Sequence, residues 1–361
     1  MKRRQKTLLY LIACALAIPS LSGCKPQKYP DGLYAELTTN KGPIVLRLEF
    51  EKTPMTVANF VGLAEGTIRN AALPEGVPYF DGTKWHRVVA GHVIQCGTPK
   101  DGKEQGPGYQ FPNEISPDLN HGRAGMVGMA NSGPHTNGSQ WYVTLADRSY
   151  LDGNYTVFGA VIEGLDVVSA IVQDDTVQRV KIVRVGRAAK AFRPTTDSFL
   201  KMVEEAKARV KEAAEKKKRA EEEMVAGQWP NAVAAENGLK YVILKEGKGP
   251  IPSRGAKLKV AYSGKDLYGL TFISTAADGT PYRDGSPEPF VFEAGKTGIN
   301  PGFDAAVVRM KKGEKRLVIV PAELGYRSNG FYAKQRPNEK RFVIPPETRL
   351  IYEVELLDIL K

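Results

Sequence analysis

The chain has 361 residues, 42% hydrophobic and 25% charged, which is enough for two separate hydrophobic cores. Its 3 cysteines are too few for a disulfide framework, and its 4 histidines (His86, His92, His121, His135) show no zinc-ligand spacing. A disulfide-stapled scaffold and a zinc enzyme are thereby excluded, while the formal charge of +11 implies salt-sensitive attraction to anionic surfaces.

The first element in chain order reads as an export leader. Lys2, Arg3, Arg4 and Lys6 precede an apolar run from Leu8 to Ile18 that is too short to span a bilayer as a helix. Leu21-Ser22-Gly23-Cys24 follows and looks like a bacterial lipobox, in which cleavage before the cysteine leaves a thiol that is lipidated. Residues 1–23 are therefore expected to be a lipoprotein signal peptide and Cys24 the lipidation site, with several acyl chains giving a stable anchor. Loss of the four basic leader residues lowers the formal charge from +11 to +7. Cys14 leaves with the leader and Cys24 carries lipid, so Cys96 stands alone and forms no intramolecular disulfide even in an oxidising compartment. An exported basic protein is expected to meet anionic lipid head groups or acidic segments of other proteins, and no nucleic acid. The expected location is the cell envelope. Lys25 stands where the inner-membrane retention signal of enteric bacteria has Asp, which leans towards the outer membrane. Residues 24–33, with Pro26, Pro30 and Gly32, read as a lipidated end and flexible tether reaching about 30 Å.

From Tyr34 the pattern is β-rich, and residues 34–187 read as one domain. YAELTT and IVLRLEF alternate around Asn40-Lys41-Gly42-Pro43, a hairpin signature. Thr53 to Gly66 has Val57, Phe60, Val61 and Ala64 on one helical side, with Thr53 as N-cap, Pro54 in the first turn and Gly66 as terminator. Short strands follow, then a helix near Leu165 to Val172 and a last strand ending at Val185. Residues 188–238 form a charged helical linker. Within it, Thr195 to Met224 carries a thin stripe of Phe199, Met202, Val203, Ala206, Val210 and Ala213, expected to be a solvated spacer rather than a coiled coil. Residues 239–361 read as a second β-rich domain with one short helix, FDAAVVRM, burying Phe303, Ala306, Val307 and Met310.

WHRVVAGHVIQCG (Trp85–Gly97) and MANSGPHTNGSQWYV (Met129–Val143) set an arginine, two glutamines, an asparagine and aromatics on short apolar strands. They contain no nucleophile set; His92 and Cys96, four apart on a strand, lie about 13 Å apart, beyond the reach of a Cys-His pair. Both segments resemble the cyclophilin family of peptidyl-prolyl isomerases. That resemblance implies a closed eight-stranded barrel with a helix over each mouth. It also implies a catalytic set of Arg87, Gln95, Asn131 and Gln140, and a substrate site formed by His92, Val93, Ala130, Tyr142, Tyr150, Leu151 and Tyr155. Trp85 takes the place of the family's Phe before the His-Arg pair, His92 replaces a pocket Phe, Tyr150 replaces the Trp of drug-sensitive members, and Tyr155 replaces a His. The His92 change makes the pocket more polar; the Tyr150 and Tyr155 changes point to weak cyclosporin binding.

The reaction itself asks for little chemistry. The X-Pro bond prefers trans only slightly, and its barrier of about 18–20 kcal/mol comes from amide resonance. No bond breaks, so no cofactor and no metal are needed. A catalyst has only to bind the twisted amide better than either planar form, with an apolar proline pocket and a cation near the imide nitrogen. Arginine suits that role because its planar donors stay charged.

The second domain resembles the FKBP family, a twisted antiparallel half-barrel around one helix, the other large class of prolyl isomerase. The likeness implies a proline pocket lined by Tyr262, Phe272, Phe290, Ile299, Phe303, Tyr326 and Tyr352, with Phe303 in place of a Trp floor. The family's Phe-Asp-Ser is Phe272-Ile273-Ser274 here, so the polarising carboxylate is missing. Tyr282–Pro289 and Ser328–Arg341 read as enlargements beside that pocket. The sequence thus points to a mainly β, membrane-anchored tandem prolyl isomerase with catalysis mainly in the first domain. Its expected partners are proline-containing unfolded or nascent exported proteins, plus the membrane through the lipid. The alternative is a tethered, non-catalytic chaperone or binding scaffold, which His92 and Ile273 keep open.

Overall fold

The computed structural model describes residues 28–99, 106–253, 255–274, 289–332 and 342–360. The leader, Cys24, most of the tether and much of the two second-domain enlargements lie outside these residues.

The first half of the chain folds as β1 (Gly32–Thr39), β2 (Gly42–Leu48), α1 (Pro54–Glu65), β3 (Thr83–Lys84), β4 (Arg87–Val89), β5 (Val93–Cys96), β6 (Met126–Met129), β7 (Trp141–Thr144), β8 (Val157–Glu163), α2 (Leu165–Ala170) and β9 (Thr176–Val185). The expected hairpin is present, its register closing at Thr39 opposite Gly42. The strands form one curled nine-stranded sheet in the order β3-β9-β1-β2-β8-β6-β7-β5-β4. Its two end strands are parted in sequence only by Trp85 and His86. Pleating sends Ile94 and Cys96 of β5 and Trp141 and Val143 of β7 into the core, where Trp85 and Trp141 meet edge to face at 5.1 Å. Cys96 is fully buried against the Thr83 hydroxyl, and burial pushes its thiol up to about 12, so it is a small core residue and no nucleophile.

α1 is buried from Met55 to Ala64. Its C-terminus ends as expected, with Gly66 at φ 72° donating to the carbonyls of Gly62 and Leu63. Its N-terminus is capped differently from the expectation. Thr53 makes no side-chain cap, its hydroxyl going back to the Glu49 carbonyl. The carboxylate of Glu114, from a distant loop, accepts the backbone N–H groups of Met55 (3.1 Å) and Thr56 (2.8 Å) and the Thr56 hydroxyl.

The linker region contains α3 (Gly186–Ala191) and α4 (Thr196–Gln228). The apolar stripe of α4 is not left to water. Phe199, Val203 and Ala206 enter the first core, and Val225 joins a separate buried cluster with Leu267, Leu317, Ile319 and Ile351 of the second half. Glu221 and Arg349, each with an 8% exposed side chain, pair at 3.4 Å where the helix meets that half. Only residues 211–220 are exposed on every side. A long alanine-rich stripe buries too little to hold a partner helix, but single large residues at its two ends suffice to dock one helix on two cores.

The second half comprises β10 (Val233–Ala234), β11 (Lys240–Lys245), β12 (Lys257–Asp266), β13 (Thr271–Ser274), β14 (Phe290–Glu293), α5 (Pro301–Val307), β15 (Lys315–Val320), β16 (Phe331–Tyr332), β17 (Phe342–Ile344) and β18 (Leu350–Leu360). Its main sheet runs β10-β11-β15-β18-β12-β13 with β14 also on β12, and β16 and β17 pair apart from it. α5 is capped by the Asn300 side chain and buries Phe303, Ala306 and Val307, with Met310 just beyond, as its periodicity predicts.

Candidate active site

Two antiparallel ladders build the first site. Arg87 lies opposite Gln95 across β4 and β5, and Gln95 lies opposite Tyr142 across β5 and β7. Since Ile94, Cys96, Trp141 and Val143 face the core, the period of two turns Val93, Gln95 and Tyr142 to the other face. There Val93, Tyr142 and Leu151 form a small buried cluster with Ala130, Tyr150 and Tyr155 packed around it.

This cluster walls a cavity of about 370 Å³. Of the residues expected at the first site, all but Gln140 line it: Arg87 and Gln95 on one side, Ala130 and Asn131 on another, and His92, Val93, Tyr142, Tyr150, Leu151 and Tyr155 as walls. Gln140 faces a neighbouring, more open cavity of about 600 Å³ that shares Gln95, Ala130 and Asn131 and is otherwise bounded by Gly106–Gln110, Ser132, Thr136, Gly138 and Ser139. The two cavities adjoin along these shared residues, and Val93, Tyr142 and Leu151 give the smaller one an apolar wall.

A hydrogen-bonded chain runs across that junction. The Gln95 amide donates to Gln140 Oε1 at 2.8 Å and accepts from Arg87 Nη1 at 3.3 Å. Arg87 is otherwise exposed and lines the cavity, which leaves further guanidinium donors for a bound ligand. Asn131 is held by its own bonds, donating to the Asn154 carbonyl at 3.2 Å and accepting from Gly133 N–H at 3.3 Å. Ala130 N–H is already used by the Gln140 carbonyl.

His92 is less polar in place than in sequence. Its ring stacks on Tyr150 at 6.2 Å and 21°, with Nδ1 3.3 Å from the Tyr150 hydroxyl. Burial, with the positive charges of Arg148 and Arg87, lowers its pKa to about 4. It is a neutral aromatic at pH 7, a fair substitute for the Phe whose place it takes.

Sequence reading missed two residues here. His121 is fully buried, with Nε2 2.7 Å from the Tyr142 hydroxyl and Nδ1 2.6 Å from Asp152 Oδ1. Neither lies in the two motif segments, and only the fold brings residue 121 beneath residue 142.

The second set also converges. Phe303 sits 5.0 Å from both the Tyr262 and Tyr352 rings, Phe272 meets Tyr352 edge to face at 5.9 Å, and Phe290 packs on Tyr262 at 5.9 Å. Ile299 and Tyr326 pack half-buried at its margin. Ile273 sits half-buried opposite Gly264 and offers no carboxylate. Among the polar groups at this site is the Tyr352 hydroxyl, which accepts from Asn300 Nδ2 at 2.7 Å; burial raises its pKa well above the usual phenol range. Residues 282–288 and 333–341 of the expected enlargements lie outside the described residues.

Comparison with known proteins agrees with this geometry. Residues 34–187 match the cyclophilin type peptidyl-prolyl cis-trans isomerase family, and residues 249–357 match the FKBP-type peptidyl-prolyl cis-trans isomerase family. Peptidyl-prolyl cis-trans isomerase A of Mycobacterium tuberculosis is 43% identical over 143 residues, 38% of this chain and 79% of that protein. Peptidyl-prolyl cis-trans isomerase B of Streptomyces anulatus is 42% identical over 151 residues, 40% of this chain and 86% of that protein. Peptidyl-prolyl cis-trans isomerase-like 1 of Homo sapiens is 39% identical over 164 residues, 43% of this chain and 91% of that protein. The chain belongs to the cyclophilin type peptidyl-prolyl cis-trans isomerases and carries an FKBP-type isomerase domain behind the first, a tandem of the two families.

Proposed function

We propose that this isomerase acts on exported proteins as they fold, that the groove of the first half is its main catalytic site, and that Arg87 stabilises the twisted X-Pro amide. The observation that carries the reading is the Arg87–Gln95–Gln140 chain at the rim of an apolar pocket. A proline ring seated among Val93, Tyr142 and Leu151 leaves its imide nitrogen near the rim. There a guanidinium N–H donates to the nitrogen lone pair that appears once the amide twists. Gln95 fixes the guanidinium, so little reorganisation is needed at the transition state. Asn131 and the polar cavity beyond it hold the peptide before the proline.

The groove sits at the seam of the sheet. Reading β3 and β4, parted by two residues, as one bent strand would close the sheet into an eight-stranded barrel, and their closeness in sequence supports that reading. Domain limits of 34–187 and 239–361 with a helical connector, and a lipid on Cys24, complete the proposal. The tether would keep both sites near the exit of newly exported chains and raise the local concentration of each for the same client.

A protease-coupled cis-to-trans assay on short X-Pro peptides tests the site. Loss of one preorganised donor predicts that Arg87→Ala lowers kcat/KM by about 10²-fold, and that Arg87→Lys recovers only a small part because an ammonium lacks the planar fork. An Arg87→Ala protein as active as the wild type would sink the assignment.

A further inference from the structure

Tyr142 is the floor of the proline pocket, yet it carries a hydroxyl that an apolar floor does not need. Tyr142 is 4% exposed, and its hydroxyl oxygen lies 2.7 Å from Nε2 of His121, whose side chain is wholly buried. On its other side His121 Nδ1 lies 2.6 Å from Oδ1 of Asp152, and the same oxygen accepts the His121 backbone N–H at 2.8 Å. Asp152 directly follows Leu151, a wall of the same pocket, and its side chain is 36% exposed.

The direction of this chain follows from its end. A carboxylate only accepts, so Nδ1 carries the proton; in the neutral imidazole Nε2 is then the acceptor and the phenol must donate. The rings of His121 and Tyr142 lie nearly parallel, 5.9 Å apart at 19°. A second observation points the same way. Gly128 on β6 lies opposite Tyr142, and a Cβ there would come within 2.5 Å of both Cζ and the hydroxyl oxygen. Room for the hydroxyl has been made at one position, an acceptor at a second and an orienting carboxylate at a third.

We propose that His121 and Asp152 are positioning residues that hold the Tyr142 hydroxyl away from the pocket, so that a tyrosine floor presents only its ring to the apolar pyrrolidine of the substrate. The inference rests on the reading of the first cavity as the proline site. Without the relay, the hydroxyl loses its His121 acceptor, and the whole ring must swing to carry it towards the cavity, where a proline ring offers it no partner.

The test uses the full-length protein and an X-Pro peptide, with kcat and KM measured separately. His121→Leu is expected to lower kcat/KM about tenfold, chiefly through KM, because ground-state and transition-state seating of the proline suffer alike. The same substitution made in the Tyr142→Phe background, where there is no hydroxyl to misplace, is expected to cost less than about threefold. Should His121→Leu reduce the yield of folded protein, the wild type serves: nitrogen-15 shifts of the His121 ring must show Nδ1 protonated and Nε2 bare. Equal losses in both backgrounds, or a ring protonated at Nε2 alone, overturn the relay. Arg87→Ala is assayed in parallel. Activity that ignores it overturns the reading of the cavity and the relay with it, whereas Arg87 dependence with equal losses overturns the relay alone.

Discussion

His92 shows how a residue's identity and its behaviour diverge. In sequence it is a polar intruder in a pocket; in place it is a neutral ring stacked on Tyr150, with its pKa lowered to about 4. The sign of the pH dependence follows. Below about pH 6.5 the unfolded chain takes up a proton that native His92 refuses, so its contribution to stability falls as pH drops from about 6.5 towards 4. Activity is expected to show no His92 titration between pH 8 and about 5.5 and to fall only as the ring charges near 4, beside Arg87 and Arg148. A kcat/KM profile with a midpoint near 6.5 that disappears in His92→Phe would contradict this. At this scale the motif residues were legible in sequence because each lies within two short segments: Arg87, Gln95 and Tyr142 need only strand pleating to share a face, and Asn131 follows two residues after the end of β6. His121 and Asp152 were not, since their role depends on a hydrogen bond to a side chain on another strand.

Among the elements, α1 was legible in its body and its Gly66 terminus but not in its cap. The N-cap rules see Thr53 beside Pro54; they do not see Glu114, sixty residues away, filling the same donors. Glu114→Ala is therefore expected to destabilise the first half by about 1–2 kcal/mol, more than Thr53→Ala does, as read by urea unfolding. Equal effects of the two substitutions would return the cap to Thr53. α4 makes the complementary point. Its composition announces a solvated helix, and its middle is one, but Phe199 and Val225 each sit in a core. A periodicity count weighs the whole stripe and passes over two well-placed large residues. Replacing Ala213 and Ala214 by Gly costs the helix about 1 kcal/mol each. Faster tryptic cleavage within 211–220 is expected, with both halves keeping their melting temperatures; a lowered melting temperature of either half would show that the exposed middle also supports a core.

For the whole molecule, the two halves are joined by a continuous helix docked at both ends, and the buried Glu221–Arg349 pair fixes the second of these contacts. Removing Arg349 leaves the buried Glu221 only the Lys217 ammonium, 3.8 Å away, so Arg349→Ala should loosen that dock by about 2 kcal/mol, visible as lost hydrogen-exchange protection around Glu221. The division into two isomerase families was legible from sequence because each carries its own motif set. Which half does the chemistry rests on side-chain detail: a guanidinium at the rim of an open groove in the first, and in the second a close-packed aromatic cluster with Ile273, among the described residues, where a carboxylate was sought. The measurement that bears most directly on this is the cis-to-trans rate of three full-length proteins on one X-Pro peptide: wild type, Arg87→Ala and Tyr326→Ala. Arg87→Ala is expected to remove more than about nine-tenths of kcat/KM, and Tyr326→Ala the smaller share. The reverse order, with the loss concentrated in Tyr326→Ala, would move catalysis to the second half and leave the first groove a binding site.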